Sequence, residues 1–324
     1  MKFTRNKKIV ELREGDIVDD IYVVKIKKSI VPYKRGYSFE LVLTDETGAS
    51  LSCYYWGTEN KEEIEKVHNS FDEESVLHIV SKVSTFGNKL VINLNEKDKI
   101  EVLSDEQYDK DMFLLPPKRD IEDMKKELKN YISSIKNIHL KSLLEKIFTN
   151  EFTDKFSIHP GAIQYHHNWK GGLMQHTIEV AEICELLCKQ NPELDKDLLI
   201  TGAILHDLGK LVEIAVGVRV KGTIEGQFIG HSIESIIWYA KYMEELNFPN
   251  LLRIKIIHMI LSHHGKLEFG ATKEPMFPEA FALHHADCAS AVVSEMVSYV
   301  EESKLETTND TSYNRLLRRN ILLK

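Results

Sequence analysis

Fourteen histidines stand in this chain, most of them in its second half. His176 ends the run Gly171-Gly172-Leu173-Met174-Gln175-His176. An adjacent His206-Asp207 lies in Ala203-Ile204-Leu205-His206-Asp207-Leu208-Gly209-Lys210, an apolar helical stretch that stops at Gly209. His231 follows Gly230, the pair His263-His264 precedes Gly265, and Asp287 falls in the run HHADCAS. A histidine beside an aspartate in an apolar helix is unfavourable to bury unless something ligates them. Imidazole nitrogen with carboxylate oxygen suits divalent Mn²⁺, Fe²⁺, Co²⁺ and Zn²⁺. A single helical histidine is more often core or surface than a ligand. The ordered series His, His-Asp, His, His-His, Asp is what points to a metal. No thiolate belongs to the series, which favours a labile catalytic ion over structural zinc.

Two neighbouring features bear on the same chemistry. Lys210 lies four residues after His206 and three after Asp207, near the same helix face. Its ammonium could neutralise charge developing on a phosphoryl group, or satisfy carbonyls at the helix end. The pair His166-His167, before Trp169, reads either as a substrate contact at the mouth of the site or as a solvated pair.

The elements that must carry these residues show in a change of periodicity. From Gly15 to about Leu103 the pattern is of strands: Ile17-Val18, Ile21–Ile26, Tyr37–Thr44, Leu51–Trp56, Val76–Val83 and Lys89–Leu94. Lys34-Arg35-Gly36, Asp45-Glu46-Thr47-Gly48 and Phe86-Gly87-Asn88 are turn signals between them. Tyr37, Phe39, Leu41 and Leu43 fall on one face of their strand, and Ser38, Glu40 and Val42 on the other. The acidic stretch Glu59–Val67 reads as a short helix between the third and fourth strands. Five strands with a helix there is the layout of an OB-fold, a small barrel that binds single-stranded nucleic acid. Pro116-Pro117 marks a boundary. Beyond Asp120 the period is helical: Ile121, Met124, Leu128, Ile132 and Ile135 form one stripe, and Leu140, Leu143, Leu144 and Ile147 the next. Further helices are expected at Leu173–Lys189, Asp195–Leu208, His231–Glu245, Pro249–His264 and Pro278–Tyr299. The expected organisation is a barrel domain over 1–103, a linker over 104–120 and an all-α domain over 121–324.

Composition agrees with two folded domains. The chain has 324 residues, 43% hydrophobic and 28% charged, which excludes a disordered, collagen-like or disulfide-scaffold chain. With 42 basic against 50 acidic residues its formal charge is −8. Binding to nucleic acid must therefore come from a local patch or from metals. Four cysteines, Cys53, Cys184, Cys188 and Cys288, are too few for a disulfide framework. Cys184 and Cys188, four apart in a helical stretch, read as small buried apolar groups. The basic start lacks the apolar segment of a secretory signal, and no run reaches the ~18–20 apolar residues of a membrane span. A cytoplasmic protein without a membrane partner is expected. The stripe Ile121–Ile147 serves equally as core or as a contact between copies in a homo-oligomer.

The ordered histidine and aspartate series resembles the HD-domain metal-dependent phosphohydrolases, from about Phe152 to Tyr299. That resemblance implies metal ligands at His176, His206, Asp207 and Asp287, and a second ion held by His231 and the pair His263-His264, with Asp207 bridging. His263 is favoured over His264 as the better ligand. Two divalent ions are implied, Mn²⁺ first, with Co²⁺, Fe²⁺ and Mg²⁺ as alternatives. Two ions roughly 3.5–4 Å apart can hold a hydroxide and stabilise the attacking and leaving oxygens at phosphorus. An OB-like barrel before an HD domain resembles more narrowly the YhaM family of bacterial 3′→5′ exoribonucleases, over nearly the whole chain. The runs His166–His176, His206–Lys210, Gly230–Ser232 and Ser262–Asp287 carry this resemblance. It implies release of nucleoside 5′-monophosphates from the 3′ end of single-stranded RNA, and of single-stranded DNA as a further substrate, with Asp207 and Lys210 catalytic. Within the barrel, Tyr33, Tyr37, Phe39, Tyr54, Trp56 and Phe86, with Lys25, Lys27, Lys28, Lys34 and Arg35, are candidate contacts to bases and phosphates. Among these Lys34, Arg35 and Tyr37 rank first, and His167 is the candidate substrate contact of the helical domain. Two rival readings remain at this level: a small-nucleotide or cyclic-nucleotide phosphodiesterase, and a non-catalytic single-strand-binding accessory factor. The basic stretch Tyr313–Lys324, with Arg315, Arg318 and Arg319, has no role derivable from the residues.

Overall fold

The alternating strands of the first half do close into a barrel. The computed structural model describes residues 2–87, 89–163, 167–306, 309–314 and 317–324. Among them, β1 (Ile17–Lys27), β2 (Val31–Tyr33), β3 (Gly36–Thr44), β4 (Ser50–Trp56), α1 (Lys61–His68), β5 (Val76–Phe86), β6 (Lys89–Asn95) and β7 (Lys99–Leu103) follow in order. The sheet runs β1-β3-β4-β6-β5 and closes because β5 pairs again with β1. β1 serves both edges by bending, with an irregularity between Val24 and Ile26 where its pairing with β3 shifts register. β4 and β6 pair in parallel, Cys53 opposite Ile92. This is a five-stranded OB-fold barrel, with α1 between β4 and β5 as the spacing predicts. The short β2, pairing with β3, and β7, pairing with β5, are additions that the periodicity does not show.

Alternation decides what fills the barrel. Phe39, Leu41, Leu43, Leu51, Cys53, Tyr55, Ile92 and Leu94 point inward and are buried. The outer face of β4 carries Ser52, Tyr54 and Trp56 in the intervening positions. The segment expected to be a linker is shorter than its composition suggests. Residues 104–115 remain with the barrel, because Tyr108 and Phe113 bury in a satellite cluster with Ile21, Val23, Val76 and Leu103. Residues 216–220 group with this unit too.

The second unit comprises residues 116–215 and 221–324. Its helices are α2 (Ile121–Ser134), α3 (Ile138–Ile147), α4 (Asn150–Ile158), α5 (Gly172–Gln190), α6 (Lys196–Leu205), α7 (Lys210–Glu213), α8 (Ile224–Phe228), α9 (His231–Glu245), α10 (Asn250–Ser262) and α11 (Pro278–Glu306). Side-chain caps begin several: Asp120 accepts from Asp123 N, Thr149 from Phe152 N and Asp195 from Leu198 N. α6 is apolar almost all round, and with α5 and α11, which lie against it and each other, it forms the centre of the bundle. The unit is not wholly helical. Residues Ile214–Val216 (β8) and Val220–Gly222 (β9) pair, as do Thr311–Asn314 (β10) and Arg319–Leu322 (β11). The basic C-terminal stretch is thus a hairpin with Arg318 and Arg319 exposed, while Arg315 lies outside the described residues. Among the described residues no helix is long and apolar enough to cross a membrane.

An N-terminal arm completes the barrel in a way its basic composition conceals. Asp20, 3% exposed, accepts the backbone N–H groups of Asn6 and Lys7 through one oxygen, both at 2.9 Å. Asp45 takes the N–H of Ile9 at 2.6 Å, and Arg5 pairs with Glu46 while donating to Ile21 O. These acceptors let Ile9 and Leu12 reach the core. Replacing Asp20 with alanine strands two N–H groups, at roughly 1–3 kcal/mol for each that stays dry. Asp20→Ala should therefore lower the urea midpoint of the barrel's unfolding, followed by the fluorescence of Trp56 in a chain whose other two tryptophans are phenylalanine. An unchanged midpoint would show that the arm is not a structural latch.

Candidate metal centre

Each histidine and aspartate of the series sits at the end or the first turns of a helix, and two glycines make their approach feasible. His176 lies in the second turn of α5. A Cβ on Gly172, at the start of that helix, would stand 1.9 Å from the carbonyl oxygen of His167, so only glycine lets the upstream segment pass so close. The expected helix Asp195–Leu208 ends earlier, at Leu205, and His206-Asp207-Leu208-Gly209 form the turn into α7. A Cβ on Gly209 would stand 1.9 Å from His231 O, and its N–H donates to Ser235 Oγ at 2.8 Å. The glycine after His206-Asp207 thus brings the first residue of α9, itself a histidine, against the turn. His263 and His264 follow the last turn of α10, and Asp287 lies in the third turn of α11.

The rings converge on Asp207, which is 3% exposed. Its Oδ2 faces Lys210 Nζ at 2.7 Å, His206 Nε2 at 3.4 Å and His176 Nε2 at 3.5 Å. Its Oδ1 faces His231 Nε2 at 3.4 Å and His263 Nε2 at 3.6 Å. Asp287 Oδ1 approaches His176 Nε2 at 3.1 Å, and His264 Nε2 lies 3.1 Å from His231 Nε2. Two sets emerge whose ligand atoms lie within 4.8 Å of one another: His176, His206 and Asp207, and His231, His263 and His264.

The far side of each ring says where its proton is. His206 Nδ1 meets Ala203 O at 2.8 Å, His263 Nδ1 meets Ile260 O at 2.6 Å, and His231 Nδ1 meets Glu213 Oε2 at 2.8 Å. Carbonyl and carboxylate oxygens only accept, so each Nδ1 donates and each neutral ring turns a bare Nε2 lone pair towards Asp207. Asp207 Oδ1 meets no hydrogen-bond donor among the described residues. Lone pairs and a buried carboxylate oxygen facing one another repel unless a cation lies between them. The donor set therefore fits divalent metal, held by His176, His206, Asp207 and Asp287 on one side and by Asp207, His231, His263 and His264 on the other.

Electrostatics sharpen this picture. Burial pushes His263 well below the ordinary histidine value, and pushes His176 and His264 down too, which keeps them neutral as ligands. For His206 burial acts in the same sense but Asp207 overrides it and raises the ring. Burial opposes ionisation of Asp207, yet Lys210 and then His206 hold it well below the carboxylate range. Asp287 is lowered likewise, with burial overcome first by His176, whose Nε2 lies 3.1 Å from its Oδ1. Lys210 is raised, because its attraction to Asp207 exceeds its burial penalty, and it stays a cation.

Other expected contacts fall differently. His167 is fully buried and its Nε2 donates to Glu179 at 3.0 Å, so it faces the interior and not a mouth. His166 lies outside the described residues. In the barrel, Phe39 is core, stacked on Tyr55 at 5.0 Å, and does not face solvent. Tyr37 is half-buried against the same core, while Lys34 and Arg35 are exposed on the β2–β3 turn. Lys27 bonds Phe71 O and pairs with Asp72, Lys28 pairs with Glu40, and Lys25 bonds Ser50 Oγ. The outward aromatics that do form a group are Tyr33, Trp56 and Tyr54, with ring centroids 5.0 and 5.8 Å from Trp56. Phe86 stands apart, 74% exposed. Sequence reasoning missed Glu213 and Glu179. Glu179 lies one turn beyond His176, a spacing that a search for partners of the ligands would have flagged.

Comparison with known proteins finds similarity that includes the site. Residues 173–292, which hold all seven ligand candidates, match the HD domain. The 3′-5′ exoribonuclease YhaM of Listeria innocua is 26% identical over 92% of this chain and 92% of its own length. That of a Geobacillus species is 29% identical over 92% of this chain and 89% of its own. Among solved structures, the OB domain of Ta0387 from Thermoplasma acidophilum covers 30% of this chain and 86% of its own at 14% identity, with a TM-score of 0.24.

Metal uptake at this site must expel a proton. A ligand binds only when deprotonated, and His206 titrates above its usual range. Apparent affinity for Mn²⁺ should therefore fall as pH drops through and below that raised value. Calorimetric titration in two buffers of different ionisation enthalpy reads the released proton directly. Affinity independent of pH, with no proton released, would show that His206 is already neutral before the ion binds.

Proposed function

We propose that this HD-domain protein, a metal-dependent hydrolase of the phosphodiesterase kind, is a 3′→5′ exoribonuclease acting on single-stranded RNA. The observation that carries this reading is Asp207, which turns one carboxylate oxygen to each set of imidazoles. The similarity of the whole chain to proteins named as such exoribonucleases supports RNA as the polymer. Divalent ions bound there, Mn²⁺ first, would supply an activated water and offset negative charge on the phosphoryl oxygens.

The residues of the chain do the rest. Asp207 and Asp287, both held ionised, keep the ligand set anionic enough to retain two cations. Lys210 remains protonated and keeps part of its side chain accessible, 2.7 Å from Asp207. It is placed to stabilise charge that grows on phosphorus as the 3′ oxygen of the penultimate nucleotide leaves. Kept cationic, Lys210 is not a general base. In the barrel, Tyr33, Trp56 and Tyr54 supply a sequence-tolerant stacking platform, with the indole N–H fixed on Asn93 Oδ1 at 2.8 Å. The platform recognises bases, and nothing in it reads the 2′-hydroxyl, so single-stranded DNA remains a second substrate.

The direct test is 5′-labelled single-stranded RNA with Mn²⁺, beside the matching DNA and an EDTA control. A ladder shortening from the 3′ end and lost with EDTA is the expected outcome, and Asp207→Ala should abolish it most completely. Intact RNA with hydrolysis of small nucleotides would replace this reading by the small-molecule phosphodiesterase. Near-normal turnover of Asp207→Ala would sink the shared-carboxylate role.

A second prediction concerns the platform. Stacking contributes ~1–3 kcal/mol per base, so Trp56→Ala should weaken binding of single-stranded RNA by about 5- to 150-fold. Equilibrium binding in an Asp207→Ala background, where RNA stays intact, measures it. Equal affinity with and without Trp56 would remove this face of the barrel from the substrate path.

A further inference from the structure

We propose that Ser290 and Glu179 are positioning residues that set the tautomer of His176 and thereby hold its ion, with His167 and Gln175 bracing Glu179. The inference rests on the reading of the site as a metal centre and is independent of RNA as substrate.

His176 differs from the three ligand rings whose Nδ1 faces an obligate acceptor. Its Nδ1 lies 3.0 Å from Ser290 Oγ, and a hydroxyl can donate or accept. Ser290 alone would leave the proton of His176 on either nitrogen. Glu179 removes the ambiguity. Its Oε2 stands 2.8 Å from Ser290 Oγ, and an ionised carboxylate only accepts. The hydroxyl hydrogen must therefore point to Glu179, and the lone pair of Ser290 takes the Nδ1–H of His176. Nε2 is left as a bare donor beside Asp287 and Asp207, where an ion would sit.

Glu179 is in turn fixed from its far side. Oε2 also accepts from His167 Nε2 at 3.0 Å, and Oε1 accepts from Gln175 Nε2 at 2.9 Å. Gln175 Oε1 takes the indole N–H of Trp169 at 2.9 Å. The backbone of His167 is held as well: its φ is +58°, its carbonyl accepts from Gly161 N at 2.7 Å, and it abuts Gly172. His167, Trp169, Gln175 and Ser290 are all buried. Three of these buried donors, His167, Gln175 and Ser290, converge on Glu179, whose side chain keeps 27% exposure. The geometry explains the residues from His167 to His176 as support for one ligand. It also joins α5 to α11, the two helices that bring His176 and Asp287 to the same ion: Ser290 follows Asp287 by three residues, as Glu179 follows His176.

The test is metal binding by the full chain, with Mn²⁺ affinity and stoichiometry by calorimetry and Co²⁺ ligand-field absorption as the signature of coordination. Ser290→Ala should weaken one of the two equivalents by about 10- to 100-fold and alter the Co²⁺ spectrum of that equivalent, affecting the other less. Ser290→Thr, which keeps the hydroxyl, should restore most of the loss. Glu179→Gln keeps the volume but can no longer force the hydroxyl's direction, and should fall between. Thermal melting of the metal-free variants separates this from misfolding, and where Ser290→Ala melts early, Glu179→Gln decides. Unchanged affinity and spectra in both variants would overturn the proposal, as would an equal loss of both equivalents or failure of threonine to rescue. Failure of the unaltered chain to bind two ions would instead overturn the metal-centre reading beneath it.

Discussion

A carboxylate placed where water cannot reach it dictates the helical half of this protein. Asp207 is almost wholly buried, and its neighbours are one ammonium and the lone-pair sides of several imidazoles. Within the protein Lys210 and then His206 offset its charge from the Oδ2 side, and Oδ1 has no donor among the described residues. Such an arrangement is unfavourable as protein and favourable as a ligand set. The cost must be offset by packing around it, which is where the apolar α5 and α6 and the long α11 enter. Stability and function draw on opposite properties of the same few residues. The bundle tolerates the buried charges of Asp207, Lys210 and Asp287 because a large apolar cluster packs around them.

Close approach is the second constraint, and it follows from the first. Several imidazoles can share one carboxylate only if their backbones crowd together. Gly172 and Gly209 mark the places where a Cβ would strike a neighbouring carbonyl. The turn His206-Asp207-Leu208-Gly209 matters as much. A continued helix would carry successive side chains 100° apart around its axis, whereas the turn sets His206 and Asp207 on one cluster. Tyr239 reinforces the ending by donating to Leu205 O at 2.6 Å. Outer partners then aim each ring, from Ala203 and Ile260 carbonyls to the carboxylate of Glu213.

The parts of this arrangement that were legible in the sequence are those carried by local periodicity or by residue type. The switch from alternation to helical spacing near Asp120 separates barrel from bundle, and α9 spans His231–Glu245 as its pattern predicts. The histidines and aspartates of the ordered series meet in space because each sits at the end or in the first turns of a helix facing the same interior. What was not legible depends on partners far along the chain. His167 looked like a surface histidine until Glu179 took its Nε2 in the interior. Asp20 and Asp45 read as polar residues of strand and turn, yet they anchor an arm through backbone N–H groups that no side-chain pattern reveals. Phe39 was a different kind of miss. It shares a face with Leu41 and Leu43, so alternation already placed it inside, and Trp56 and Tyr54 outside.

The same alternation bears on how a chain of net charge −8 can engage a polyanion. Three candidate lysines of the barrel are already partnered: Lys27 and Lys28 pair with Asp72 and Glu40, and Lys25 bonds Ser50. Exposed Lys34 and Arg35 at the β2–β3 turn offer little charge for counterion release. The aromatic group of Tyr33, Trp56 and Tyr54 asks for no charge at all, since every base has a π-face. In the helical unit the cations that would attract phosphate are Lys210 and the ions themselves, and these sit at the point of reaction. The two candidate contacts to nucleic acid thus differ in kind, charge at the metal centre and aromatic faces on the barrel.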